Sequence, residues 1–296
     1  NLLTLTFIIF LFFFHAQPSY QAPKLSKPDS WSLVLVPDPQ TYMRFERNQG
    51  IFNLMSSWIA ENIDPLNIQM VLCTGDLVEQ NDLFNPKGQE GNVSSRLQWQ
   101  QISSAFGKLD HKVPYFLATG NHDYGFKSAE YRSTHYDQYF PVEKNSLNQR
   151  VLREIGPSLN GQSSSVNALY EVKTATATAT STLVLVLEFA PRDTVLAWAK
   201  ALLNNPKYVE HPVILLTHVF LNSQSKPGPQ ENYAIKDANY GAAVMEKLVL
   251  PSKNIRLVFS GHIGSPDDFN GHLGFRQDKN AGGKTVTQMT FNAQAM

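Results

Sequence analysis

Five short apolar runs in this chain each lead into side chains that hold metals or move protons. Residues 33–36 precede Asp38-Pro39-Gln40, and residues 70–73 precede Gly75-Asp76. Residues 114–118 lead into Gly120-Asn121-His122-Asp123, residues 213–216 into His218, and residues 257–259 into Gly261-His262. In open α/β sheets ligands bind beyond the carboxyl ends of the strands. Five such strands can bring Asp38, Gln40, Asp76, Asn121, His122, His218 and His262 to one edge. A carboxylate bridges hard or borderline cations, and Asp76 on its tight glycine turn is placed to do so. Asn121 offers a carbonyl oxygen, and the histidines offer imidazole nitrogens. Such a mixed N/O set suits Mn, Fe, Zn or similar ions. Two ions roughly 3.5–4 Å apart clamp a phosphate and acidify a bridging water. His122 directly follows a candidate ligand, so it should face the same cavity and suit protonation of a leaving alkoxide. A Gly-Asp turn alone is common, and a lone histidine after a strand is more often structural. The five together, in this order, point to metal-dependent hydrolysis.

These residues need elements to position them. Ile51, Leu54, Met55, Trp58, Ile59 and Ile63 recur at helical spacing, and Asp64-Pro65 closes that helix. Trp99, Ile102, Phe106 and Leu109 share a face of a second helix, where core packing explains them. The βαβα order of residues 32–118 predicts a mostly parallel sheet covered by helices. Residues 124–165 read as an excursion over the active edge, where loops carry specificity. Residues 170–189 read as a hairpin, with a biased Thr/Ala stretch at 174–182. Asp193 is a candidate cap for a helix burying Val195, Leu196, Ala199, Leu202 and Leu203. A short helix is expected near 242–248 and a last strand at 285–291.

Length and composition set the bounds. The 296 residues suffice for one large α/β domain or two small ones. The net charge is zero, whereas nucleic-acid binders are normally basic, so no nucleic-acid partner is indicated. Cys73, the single cysteine, lies in an apolar run and reads as a small buried hydrophobe. Residues 2–14 are almost wholly apolar, shorter than the roughly 20 that span a bilayer, and fit a secretory signal. The expected organisation is a signal at 1–16, a linker at 17–30 and one catalytic domain over 31–296. The chain is expected to begin inside that signal and to continue past Met296. A secreted or periplasmic location follows, with no stable membrane partner after signal removal; an uncleaved anchor is the alternative. The oligomeric state stays open.

The motif series Asp-x-Gln, Gly-Asp, Gly-Asn-His-Asp, Thr-His and Gly-His resembles the calcineurin-like metallophosphoesterase family over residues 32–296. Residues 187–193 and Thr217-His218 resemble its secreted bacterial branch. The resemblance implies a four-layer αββα sandwich, two packed mixed sheets flanked by helices. It implies that Asp38 binds a first metal, that Asp76 bridges, and that Asn121, His218 and His262 bind a second. It makes His122 the general acid, protonating the leaving group while a metal-activated hydroxide attacks phosphorus. Glu79 stands where some relatives keep an acid that orients that histidine. Arg132 and Arg192 are candidate contacts for the substrate phosphate, beside Asn121.

Two departures bear on the first metal. Gln40 stands where the family has a histidine, and Gly264 replaces a second one. Gln40 offers only a neutral carbonyl oxygen, and Gly264 offers nothing. One firm and one weaker metal site are therefore expected; Asp267, Asp268 or His272 are candidate substitute ligands, although a polar loop after a Gly-His turn is usually just a loop. The substrate itself stays open: a phosphate mono- or diester, small-molecule or macromolecular, is expected. The rival reading is a degenerate relative that binds one metal and a phosphorylated ligand without turnover. A serine hydrolase is disfavoured, because no Gly-x-Ser-x-Gly elbow occurs.

Overall fold

The computed structural model describes residues 22–159, 164–174, 181–264 and 268–294. Residues 1–16, most of the threonine/alanine stretch, and Asp267 lie outside them. In chain order the elements are β1 (Ser32–Val36), α1 (Gln40–Met43), α2 (Glu46–Glu61), β2 (Ile68–Cys73), α3 (Ser95–Gly107), β3 (Tyr115–Leu117), α4 (Tyr136–Tyr139), α5 (Ser146–Val151), β4 (Leu152–Ile155), β5 (Ala168–Val172), β6 (Thr182–Val186), α6 (Asp193–Leu203), β7 (Val213–Leu216), α7 (Gly241–Val244), β8 (Ile255–Ser260), β9 (Leu273–Lys279) and β10 (Thr285–Phe291).

The strands form two sheets. One is β1-β2-β3, all parallel; the other runs β4-β5-β6-β7-β8-β10-β9, with antiparallel pairs at both margins. Side chains alternate across a strand, and both sheets use that period to build two faces. Met70 and Leu72 point with Phe116 into a shared core with Val184, Val186, Ile214, Leu216 and Phe259 of the other sheet. Val71 and Cys73 point the opposite way, onto Phe52 and Ile59 of α2 and Trp99 and Phe106 of α3. Leu183, Leu185, Val213 and Leu215 face Val195, Leu196 and Ala199 of α6 and Val244 of α7. Helix, sheet, sheet and helix thus make the four expected layers. Burying each such side chain is worth about 1.5–3 kcal/mol.

Several elements differ from the pattern reading. Helix α2 starts at Glu46 rather than near Ile51, because its first turn is polar and apolar spacing marks only its buried face. Asp193 does not cap α6: Arg192 holds the cap position and makes no side-chain cap bond, while the Asp193 carboxylate takes Lys247 and Asn239. The excursion at 124–165 has structure of its own. The Tyr139 ring from α4 stacks on Trp99 at 5.7 Å, and β4 adds an edge strand. Strand β9, Leu-Gly-Phe-Arg-Gln-Asp-Lys, is the other edge strand and too polar to show as an apolar run. Among the described residues no helix is long and apolar enough to cross a membrane.

Candidate metal centre

The candidate residues sit where the two sheets meet, each just beyond a strand end. Asp38 follows β1, Asp76 follows β2 and Asn121 follows β3 in one sheet; His218 follows β7 and His262 follows β8 in the other. The turns that carry them pack backbone against side chain. A Cβ on Gly120 would lie 2.1 Å from Asp76 Oδ1, and one on Gly261 would lie 2.0 Å from Asp38 Oδ1. A side chain at either place would force Asp76 or Asp38 to shift. Asp76 and His262 themselves adopt left-handed backbone, with φ of 51° and 73°. Non-glycine residues hold that conformation at a cost of about 1–3 kcal/mol, which tertiary contacts must offset.

Four ligand atoms converge. His218 Nε2 lies 3.1 Å from Asn121 Oδ1 and 3.2 Å from Asp76 Oδ2. His262 Nδ1 lies 3.0 Å from the same Asn121 oxygen and 3.2 Å from His218 Nε2. The remaining polar atoms of each group are tied elsewhere, which fixes what faces inward. Asn121 donates its Nδ2–H to Ser128 Oγ at 2.9 Å, so its oxygen points in. His218 donates Nδ1–H to the Thr74 carbonyl at 2.8 Å, so Nε2 is left to the cluster. On the outer side of His262, Nε2 meets Glu231 Oε2 at 2.9 Å. Taken as lone pairs, these atoms repel one another at such distances unless a proton or a cation sits between them. Asp76, Asn121, His218 and His262 therefore fit a divalent ion, with the mixed donors of a borderline metal.

The electrostatics agree. Burial alone pushes the His218 pKa down, but Asp76 and Asp38 outweigh it and raise it to about 10. Burial alone would raise Asp76, yet His218 beside it pulls the carboxyl below the usual range. Burial, with the charge of Asp76 adding to it, pushes the Asp38 carboxyl up. A proton on His218 is one such positive charge, favoured by the carboxylates of Asp76 and Asp38.

Asp38 and Gln40 are engaged differently. Asp38 Oδ1 accepts from Thr74 Oγ1 at 2.7 Å; its Oδ2 accepts from the His262 N–H at 2.7 Å and from Asn292 Nδ2 at 2.8 Å. Gln40 donates Nε2–H to Asp76 Oδ2 at 2.9 Å, and its Oε1 is buried without a hydrogen-bond partner among the described residues. Of the substitute ligands, Asp268 caps a turn through Asn270. His272 is buried, its ring 3.5 Å from where a Cβ on Gly264 would stand.

His122 is half-buried beside Asp76, whose Oδ1 accepts its backbone N–H at 3.0 Å. Its Nδ1 is 2.6 Å from the backbone carbonyl of Glu79. A carbonyl only accepts, so Nδ1 carries a proton and Nε2 is the nitrogen free to exchange one. Glu79 thus stands beside His122 through its main chain; its carboxylate pairs with Arg44 at 3.0 Å.

The family model described as calcineurin-like phosphoesterase matches residues 33–266. The chain belongs to that family. A curated relative, the uncharacterised protein YvnB of Bacillus subtilis (strain 168), is 24% identical over 245 residues, which is 80% of this chain and 16% of that protein. The chain therefore spans about a sixth of that relative's length. Among solved structures, GAP50, the anchor in the inner membrane complex of Plasmodium, aligns at a TM-score of 0.40 and 10% identity, over 89% of this chain and 72% of that one. Phosphopantetheinyl hydrolase (PptH) from Mycobacterium tuberculosis aligns at 0.38 and 12% identity, over 90% and 91%.

In this family member, Arg132 and Arg192 flank the buried Glu188. Arg192 pairs with that carboxylate at 2.8 Å. Arg132 donates to the carbonyls of Ala190 and Asp237 at 2.8 Å each. Both line a cavity of about 530 Å³ with Tyr131, Asp137 and Ser164; no side chain of the converging four lines it. Pattern reading gave no role to Asp123, Thr74, Asn292 or Glu231. Asp123 joins two turns, accepting from Leu77 and Val78 through Oδ1 and from Gly120 through Oδ2. It stands inside the Gly-Asn-His-Asp motif, and Asn292 directly follows β10, so both carried a signal. Glu231 lies in a polar loop and carried none.

Proposed function

We propose that this phosphoesterase hydrolyses a phosphate mono- or diester with one firmly held divalent ion. Asp76, Asn121, His218 and His262 would hold the ion, drawn from Mn, Fe, Zn or similar metals. The observation that carries this reading is the convergence of four potential ligand atoms, one each from Asp76, Asn121, His218 and His262, brought together from two sheets. A bound divalent ion supplies charge neutralisation on the phosphate and a lowered pKa for attacking water. His122 acts on the departing side. With Nδ1 anchored on the Glu79 carbonyl, Nε2 delivers a proton to the leaving oxygen as its bond to phosphorus breaks. Arg132 and Arg192 hold the wall of the neighbouring cavity, and Asn121 reaches both ion and ester.

A second ion would be weaker. Asp38 already accepts three hydrogen bonds, Gln40 is neutral, and Gly264 has no ligand atom. Manganese titration of the metal-free protein should give one tight equivalent per chain; two equal equivalents would overturn the one-ion reading. The apolar run at residues 2–14 supports export, with a small-molecule or macromolecular phosphate ester as partner. An intact amino terminus in a membrane fraction, read by mass spectrometry, would count against export.

The deciding experiment is hydrolysis of chromogenic phosphate mono- and diesters, with and without Mn, beside His122→Ala. Metal-dependent turnover that falls about 10²–10⁴-fold in the variant upholds the reading. The three hydrogen bonds that Asp38 already accepts favour a rival in which one ion and a phosphorylated ligand bind without turnover. Folded, metal-loaded protein with no activity on either ester would favour that rival.

A further inference from the structure

We infer that Glu231 is a positioning residue of this centre: its carboxylate holds His262 in the tautomer and orientation that present Nδ1 to the ion. The inference rests on the ion-binding reading above and adds a residue that none of the five motifs contains.

The two histidines are secured by different means. His218 is fully buried, and a backbone carbonyl, that of Thr74, takes its outer N–H. Main chain and packing dictate its tautomer. His262 has neither safeguard: its side chain is 17% exposed and its backbone is left-handed. A neutral imidazole carries its proton on one nitrogen only, and the partner of the other nitrogen decides which. Among the described residues the Glu231 carboxylate is the hydrogen-bond partner of Nε2, at 2.9 Å. A carboxylate there keeps the proton on Nε2, leaves the lone pair on Nδ1 and raises the basicity of the ring.

Glu231 is held well enough to do this. The Tyr233 ring, two residues on, meets Phe189 edge-on at 5.2 Å and His262 at 6.4 Å. Ile235 and Tyr240 of the same loop are buried beside Phe189. Arg132 fixes the far end of the loop through the Lys236 and Asp237 carbonyls. Glu231 is not itself a ligand as it stands: it meets the ring nitrogen opposite the one that faces Asn121 and His218.

The test compares wild type, Glu231→Gln and Glu231→Ala in the full chain, with Mn affinity by calorimetry and the His262 tautomer by ¹⁵N NMR of metal-free protein at pH 8. Loss of such a partner typically costs about 10–100-fold in metal affinity. Glu231→Ala should lose that much and show mixed tautomers. Glu231→Gln, whose Oε1 still accepts from Nε2–H, should keep the wild-type tautomer and recover most of the affinity. Wild-type affinity in Glu231→Ala overturns the inference. So do equal losses in both variants with an unchanged tautomer, which would mark Glu231 as a ligand. If wild type binds no Mn, the ion-binding reading fails, and the tautomer comparison still decides whether Glu231 governs His262.

Discussion

At the scale of single residues, the centre is a set of atoms each with one free direction. Asn121 spends one amide hydrogen on Ser128, and His218 spends Nδ1–H on Thr74. The raised His218 pKa, about 10, means that an ion must displace a proton at neutral pH. Metal affinity should therefore rise about tenfold per pH unit from pH 7 to 9, with one proton released per ion. Calorimetry in buffers of different ionisation enthalpy measures both quantities, and a flat affinity over that range would refute the competition. Stability of the metal-free protein follows the same groups. His218, raised from 6.5, contributes fully below pH 6.5 and loses that contribution as pH climbs through about 10. Asp76, lowered from 3.8, contributes above pH 3.8 and loses it as pH falls through its folded value. Metal-free melting temperature should peak between those limits; a steady rise from pH 7 to 10 would contradict the His218 assignment.

At the scale of elements, strand ends and glycine turns do the positioning. The β2 turn and the β3 turn touch through Gly120 against Asp76, and Asp123 stitches them with three hydrogen bonds. Gly120→Ala forces a methyl into that contact and should cost about 1–3 kcal/mol, with most of the metal affinity lost as Asp76 moves. Asp123→Ala leaves three buried N–H groups without a partner, at about 1–3 kcal/mol each. Chemical denaturation with and without Mn checks both. A Gly120→Ala protein with wild-type affinity would show that the close approach is dispensable. The limits of pattern reading also lie at this scale. The strands beneath the site have period-two apolar faces that need no neighbour to be recognised. Strands β4 and β9 are polar and marginal, so only pairing with β5 and β10 makes them strands.

At the scale of the whole molecule, the site exists because two sheets stack. Asp76 and Asn121 come from one sheet, His218 and His262 from the other, and the layer of Met70, Leu72, Phe116, Val184 and Ile214 holds them in register. Leu72→Ala opens that layer and should cost about 2–5 kcal/mol. Mn at 100 times its dissociation constant should return about 2.7 kcal/mol by mass action, roughly 5–11 °C in melting temperature at about 2–4 °C per kcal/mol. A chelator should abolish that gain, and His218→Ala should never show it. Equal stabilisation of His218→Ala by Mn would place the stabilising ion elsewhere in the chain.

The chain by itself determined the types and order of the candidate residues, the α/β alternation and the glycines at the turns. Each of these is local, written within a few residues of an apolar run. Only the tertiary structure decided which atoms face one another. The bonds from His218 to Thr74, from His262 to Asp38 and from Asn292 to Asp38 cross 144, 224 and 254 residues. A side chain has few donors and acceptors, and whichever partner folding brings nearest takes them. That is why Asp38, read as a metal ligand, has its oxygens engaged by three donors. It is also why Glu231, in a loop with no signal, lies against His262.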